Sequence, residues 1–299
     1  TPSGGPCVAP GITTEPAGPS VCQGDSAVFS VNATGSTLSY QWQKNGAPLS
    51  NGPTGNGSTN SGVNGPTLTI SSVALADAAL AAAGYDCIIT NTCGTTNTVR
   101  VALSVNASPV AFGVTGGGSY CSGGGGVAVG LAGSESGLTY YLRVNGVNNG
   151  AAASGTGSAI TFGSQTAAGT YTVVATNGTG CSSVMTTNVT ISINAQPGIS
   201  TEPVGATVAV GGSATFTVVA TGGSLTYQWR TNSVNLSGAT NASYTLYPAA
   251  LSDALSAVDG YDCVITGPCG STNSARVALA VNATSDLIWA GDGSANLWN

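Results

Sequence analysis

The sequence predicts an all-β chain: three tandem sandwiches followed by a short strand-like tail. Three observations lead there. The first is texture: the 299 residues include 45 Gly and only 5% charged side chains. Short apolar runs alternate with Gly, Ser, Thr and Asn, as in a chain of many strands joined by polar turns. The second is an internal repeat, sought first because it sets the boundaries. Pro10-Gly11-Ile12-Thr13-Thr14-Glu15-Pro16 returns as Pro197-Gly198-Ile199-Ser200-Thr201-Glu202-Pro203, an offset of 197 − 10 = 187, and Trp42 returns as Trp229 at the same offset. The third is one motif written twice. Gly84-Tyr85-Asp86-Cys87 with Cys93-Gly94 reappears as Gly260-Tyr261-Asp262-Cys263 with Cys269-Gly270.

Taken in order, the first copy (1–106) reads as strands near 26–33, 38–44, 67–72, 84–91 and 95–105. Val28, Ser30 and Asn32 alternate with Phe29, Val31 and Ala33, the period of a half-buried strand. Asn45-Gly46 after the Trp strand is a hairpin signal, and Ala74 to Ala83 reads as a helical turn, echoed by Leu251 to Val258. A Trp on one strand and a Tyr-x-Cys on a later one mark an immunoglobulin-type sandwich, which makes Trp42, Tyr85, Trp229 and Tyr261 core residues. By the Tyr strand the offset has fallen to 263 − 87 = 176. The third copy (196–283) therefore lacks eleven residues, assigned to Ser50 to Pro66 and read as a surface loop.

Residues 107–195 match neither copy in detail but carry strands at Val127 to Leu131, Leu138 to Val144, Thr170 to Thr176 and Val184 to Ile193, with Asn145-Gly146 as a second hairpin signal. They are read as a divergent sandwich. Residues 284–299 lie outside all three. Their Leu287, Ile288, Trp289, Leu297 and Trp298 form an apolar segment expected to add to a sheet edge of a neighbouring copy, a head-to-tail contact.

These residues resemble the bacterial immunoglobulin-like repeats of large secreted and cell-surface, adhesin-like proteins. Tyr40-Gln41-Trp42, Asn45-Gly46, Tyr85-x-Cys87 and their later counterparts carry the likeness. Tyr120-Cys121-Ser122-Gly123-Gly124, Gly169-Thr170-Tyr171-Thr172-Val173 and Gly180-Cys181-Ser182 resemble another repeat of the same giant proteins. Trp289-x-Gly291-Asp292-Gly293 and Trp298 are similar to the opening of an autotransporter-associated β-repeat. The resemblance implies stalks, spacers and adhesive arrays. One departure stands out: where an antibody-type domain has its first Cys, this chain has Val31 and Val218.

Eight Cys in so inert a chain indicate disulfides and an oxidising, extracellular compartment. At offset 187 Cys7 maps to Asn194 and Cys22 to Ala209, so the third copy lacks both while keeping Cys263 and Cys269. Cysteines lost together are expected to be bonded together. That predicts Cys7–Cys22, Cys87–Cys93 and Cys263–Cys269, with Cys121–Cys181 in the middle repeat.

The sequence also excludes. No run approaches the ~18–20 apolar residues of a spanning helix. With five Lys plus Arg and net charge −6, no basic patch for nucleic acid can be assembled. There is no His, hence no Ser-His-Asp or Cys-His catalysis, and the eleven acids sit singly, with Asp86 and Asp262 expected to face solvent. No enzyme, cofactor or metal site is expected; Asp259 with Asp262, or Asp286 with Asp292, are weak calcium candidates. Gly123 to Gly126 lacks the ending of a phosphate loop. Lys44 as half of an isopeptide crosslink is discounted because the third copy has Thr231. Eight Asn-x-Ser/Thr sequons, at Asn32, Asn56, Asn106, Asn177, Asn188, Asn235, Asn241 and Asn282, would accept surface glycans. The start at Thr1, without Met, is read as a processed chain or a piece of a longer one. The leading expectation is a disulfide-stapled stalk or fibre segment, with a carbohydrate-binding module of a larger secreted enzyme as the rival. Tyr120, Tyr140 and Tyr141 are its local aromatic concentration.

Overall fold

The structure, a computed structural model, describes residues 7–283. Asp286 and Asp292 and the tail residues Leu287, Ile288, Trp289, Leu297 and Trp298 lie outside the described residues. The chain divides into two compact units. One holds residues up to Thr115, then Val129–Phe162 and Thr170–Val189; the other holds Gly116–Ala128, Gly163–Gly169 and the residues from Thr190 onward. The middle stretch thus contributes strands to both. Among the described residues the fold is all-β except for two 3-10 turns, Leu75–Asp77 and Ala81–Ala83, and one α-helix, Leu251–Ser256.

In the first unit, residues 11–106 form an immunoglobulin-like sandwich. Ala27–Ser30 pairs with Thr67–Ser71, and Thr59–Ser61 and Gly52–Pro53 extend that sheet. The facing sheet runs Gly94–Asn97, Tyr85–Asn91, Ser39–Lys44, Ala47–Pro48. Gly11–Thr14 pairs with Asn32–Thr34, and Ser20–Cys22 runs parallel to Ser104–Asn106. Alternation decides what lies between the sheets: Ala27, Phe29 and Val31 point inward, as do Leu68 and Ile70, and from the facing sheet Trp42, Tyr85, Cys87 and Ile89. Phe29 stacks on Tyr85 at 4.8 Å between centroids and meets Trp42 at 6.0 Å. The Trp42 indole N–H donates to the Gly65 carbonyl (3.0 Å) and the Tyr85 hydroxyl to the Asp77 carbonyl (2.9 Å), so each buried polar tip is satisfied.

The second unit builds the same sandwich from residues 198–282. Thr226–Thr231 pairs with Tyr261–Gly267 in register Trp229↔Cys263, as Trp42↔Cys87 does in the first. Phe216 stacks on Tyr261 at 4.7 Å, and the Trp229 indole donates to the Asn241 carbonyl at 3.0 Å. Ala206–Ala209 runs parallel to Leu279–Asn282. The middle stretch repeats these pairings in pieces. Thr139–Val144 pairs with residues 171–176 in the first unit, and Gly118–Cys121 runs parallel to residues 191–194 in the second.

The hairpin turns behave as their residues dictate. Asn45-Gly46 and Asn145-Gly146 hold both residues at positive φ, and Asn232-Ser233 does the same in the third repeat, the type I′ geometry that matches strand twist.

Two expectations are corrected. Ser50 to Pro66 is not a plain loop: it supplies two strands to a sheet and buries Ser58, Asn60 and Val63. Asp86 and Asp262 do not face solvent; they are 5% and 3% exposed. Each lies on the face opposite the core, where an arginine covers it. Arg100 Nε reaches Asp86 at 3.2 Å, while Arg230, directly across the strand pair, binds Asp262 through Nε and Nη2. A bidentate pair this enclosed holds its carboxylate against the cost of burial.

Truncating the shared aromatic centre tests whether packing alone holds each sandwich. Phe29→Ala and Phe216→Ala should each cost about 3–5 kcal/mol, read as a lower denaturant midpoint with an unchanged slope.

Candidate functional site at the repeat joints

The cysteines are the residues whose chemistry fold alone does not explain. The structure pairs Cys7 with Cys93, Cys22 with Cys181 and Cys121 with Cys269, at Cα separations of 5.9, 5.6 and 5.5 Å, within the range a disulfide spans. Cys87 and Cys263 are free and buried. All four pairings expected from the repeat, Cys7–Cys22, Cys87–Cys93, Cys121–Cys181 and Cys263–Cys269, are replaced.

Strand geometry explains the largest change. Cys87 sits inside the strand Tyr85–Asn91 and Cys93 in the turn beyond it. The stretch from 87 to 91 alone spans roughly 13 Å at ~3.3 Å per residue, past the ~7 Å limit for a bridge. The same holds for Cys263 in Tyr261–Gly267 and Cys269 beyond it. Cys7 and Cys22 are separated by the strands Gly11–Thr14 and Ser20–Cys22. Cys7 lies against the turn at Thr92, Sγ to Oγ1 3.2 Å, while Cys22 lies beside Asn106. Cys121 and Cys181 are each committed to another turn or strand end.

The observed pairs follow one rule. Cys93, Cys181 and Cys269 recur at intervals of 181 − 93 = 88 and 269 − 181 = 88, each in the turn that follows the central strand of its repeat. Cys22 and Cys121 each end a short strand running parallel to the last strand of their own repeat, in register with Asn106 and Asn194. So the strand-end cysteine of one repeat bonds the turn cysteine of the next. The turn also makes polar contacts with its neighbour: Asn177 Nδ2 donates to the Ala107 carbonyl at 2.9 Å, and Cys269 Sγ lies 3.5 Å from the Asn194 carbonyl.

The two free thiols are core atoms. Cys87 and Cys263 are 0% exposed, their backbone N–H groups donating to Thr98 and Ser274 hydroxyls at 2.8 and 2.9 Å. Burial pushes the Cys87 thiol up to about 11, with Asp86 adding to the rise against a hydrogen bond involving Gln41. Burial raises Cys263 and the Tyr85 and Tyr261 phenols too. A thiol held neutral and enclosed is unreactive. Val31 and Val218, at the positions of the absent first cysteines, are 1% exposed.

One polar cleft lies in the first repeat, a cavity of about 320 Å³ formed by the eleven-residue insertion and lined by Lys44, Asn56, Asn60, Asp77 and Tyr85 among others. Its groups are already committed. Lys44 Nζ donates to the Ala76 and Asp77 carbonyls at 3.2 and 3.0 Å and lies over the Tyr85 ring. The Asp77 carboxylate accepts from Asn56 Nδ2 and the Ala74 N–H. Of the tyrosines weighed for sugar binding, Tyr140 is fully buried, and the Tyr120 hydroxyl donates to the Thr166 carbonyl.

Residues 9–91 match the immunoglobulin domain family. No curated protein matches the chain. Among solved structures, the N-terminal eight immunoglobulin domains of Down syndrome cell adhesion molecule are 16% identical, covering 92% of this chain and 37% of that one, with a TM-score of 0.47. The titin I-band fragment I67-I69 is 15% identical over 92% of this chain and 99% of that one, TM-score 0.42. Drosophila OTK extracellular domains 3–5 are 17% identical over 91% and 96%, TM-score 0.35. Strand order, core and the family match carry the immunoglobulin-like fold. Among the described residues, no helix is long and apolar enough to cross a membrane.

In the native protein iodoacetamide should modify neither Cys87 nor Cys263, and should modify both after unfolding, as peptide mass mapping would show. Raised thiol and phenol values also set a sign. The folded state holds these protons more tightly, so the stability they contribute is complete below the ordinary thiol value of 9.0 and declines as pH climbs through about 11. Melting temperature should be flat near neutrality and fall above about pH 9, the reverse of a carboxylate-driven profile.

Proposed function

We propose that the chain is a tension-bearing segment of an extracellular stalk or fibre, of the kind found in bacterial adhesin-like surface proteins. Three sandwich repeats, bounded near 106 and 195, are its units. The observation that carries this reading is that the disulfide spans interlock. Cys7–Cys93 overlaps Cys22–Cys181, which overlaps Cys121–Cys269. No span is nested in another, so the covalent frame runs unbroken from Cys7 to Cys269.

The mechanical consequence follows from counting the shortest covalent path. Pulled from its ends, even an unfolded oxidised chain passes from Cys7 straight to Cys93, along the backbone to Cys121, and across to Cys269. Only 121 − 93 = 28 residues of that path can stretch, roughly 100 Å at ~3.6 Å each. Without the bonds, 269 − 7 = 262 residues stretch, roughly 940 Å by the same measure. The near absence of charge lets such segments lie side by side without repulsion, and glycans on the sequons would dress the polar surface. The reading also accounts for the placement of disulfides at joints: a stalk gains from stiffness between repeats, where contacts are otherwise small.

Single-molecule extension tests this directly. The oxidised protein should reach no more than roughly 100 Å between residues 7 and 269 before the tether stiffens, and the reduced protein roughly 940 Å. Equal extension in both states would overturn the proposal.

A further inference from the structure

We infer that the Cys7–Cys93 arm is a cap seated on a joint face, and that the uncapped face fits the third repeat of a second copy of this chain. The inference rests on the stapled-array reading above.

The inner joint of the first unit shows what the turn of a repeat normally receives. Its turn asparagine, Asn177, donates to the carbonyl of Ala107, the residue following the strand-end Asn106, and the turn cysteine, Cys181, bonds Cys22 beside that strand end with its sulfur 3.9 Å from the Asn106 carbonyl. The first repeat has the same turn with the same equipment, Asn91 and Cys93. There Asn91 Nδ2 donates to the Val8 carbonyl at 2.7 Å, and Cys93 bonds Cys7. Cys7-Val8 therefore occupies the place of Asn106-Ala107, and Pro10 follows as Pro109 does. The arm reproduces a preceding repeat's strand end, with the staple moved onto it.

The complementary pole is equally legible in the third repeat. Ala209 is in register with Asn282, as Cys22 is with Asn106 and Cys121 with Asn194. The hydrogen bond that closes each strand end is conserved in geometry: Gln23 N–H to Asn106, Ser122 N–H to Asn194, Val210 N–H to Asn282, at 2.9, 2.9 and 3.0 Å. Only the cysteine is missing, and Val210, 40% exposed, stands where the other two poles have Gln and Ser. The strand end Ala206–Ala209 with Leu279–Asn282 thus repeats the one that receives a turn in the two joints, an interface this chain already makes twice. A second copy supplies the matching turn, and a contact between unlike faces that does not close propagates head to tail. The arm and the incoming strand end compete for Asn91 and the face beside it, so only a displaced arm admits the partner.

The test uses the full chain carrying Ala209→Cys, alone and with Cys7→Ser, oxidised at a range of concentrations. With the arm released, a non-reducing ladder should form whose linking peptide joins 93 of one copy to 209 of the next, in roughly tenfold excess over 93–93 and 209–209 links, because docking raises the effective concentration of the matched pair. With Cys7 present, the ladder should be lost. Protection of Cys87 and Cys263 from alkylation reports that the cores are folded. If Cys7→Ser disturbs folding, removal of residues 1–8 from the Ala209→Cys chain opens the same face. A monomeric product, a 93–209 link within one copy, symmetric links in equal yield, or a ladder unaffected by the arm would each overturn the inference. Failure here with Cys22–Cys181 and Cys121–Cys269 intact in the peptide map leaves the stapled-array reading standing, whereas loss of those two bonds would fell that reading itself.

Discussion

The period of two in the strand Tyr85–Asn91 governs more of this structure than any other constraint. It turns Tyr85, Cys87 and Ile89 into the sandwich and leaves the following turn, with Cys93, outside it. Once Cys87 is enclosed opposite Trp42, no short-range partner can reach it, and the position facing it across the core carries no sulfur. The central thiol of each outer repeat thus becomes packing material. What remains for covalent chemistry is the periphery: turns and strand ends, which in a tandem array are where one repeat meets the next.

This division of labour has an energetic logic. A bridge between the two sheets would secure a repeat against unfolding by restricting its own denatured chain. Here that task falls to an aromatic centre of Phe, Tyr and Trp in which both indole N–H groups and the Tyr85 hydroxyl are hydrogen-bonded. The outward face of the same strand is closed by a carboxylate–guanidinium pair in both repeats, with the arginine supplied from different places, Arg100 in one and Arg230 in the other. The chain reaches one solution twice with different residues, which indicates that enclosing Asp86 and Asp262 matters more than which arginine does it.

How much of this was legible in the sequence follows from the range of each interaction. Trp42, Tyr85, Trp229 and Tyr261 were readable because alternation and the Tyr-x-Cys spacing are local. Asn45-Gly46 was readable because its turn needs positive φ at two successive residues. The disulfides were not, because joint loss of cysteines identifies bonded partners only where each repeat is covalently closed on itself. Cys7 and Cys22 are indeed lost together in the third copy, but each belongs to a different joint. A signal was present in the equal spacing of Cys93, Cys181 and Cys269, which marks one position in three repeats and therefore points outward from each. The buried aspartates were missed for a related reason: strand parity names a face and says nothing of what later covers it. The insertion at 50–66 misled because Gly, Asn and Ser in a stretch exclude neither edge strands nor buried hydroxyls.

Interlocked spans also bear on how the repeats depend on one another. In a string of independent sandwiches, opening one releases its whole length, and neighbours are affected only by load. Here the unfolding of residues 22–92 cannot lengthen the molecule while Cys7–Cys93 and Cys121–Cys269 hold, because the extended path bypasses them. A repeat that opens stays tethered at both ends within reach of its own turn and strand end. Refolding then begins from a loop already closed, which lowers the entropy to be lost on return. The cores need no internal bridge because the frame around them keeps each transient opening short.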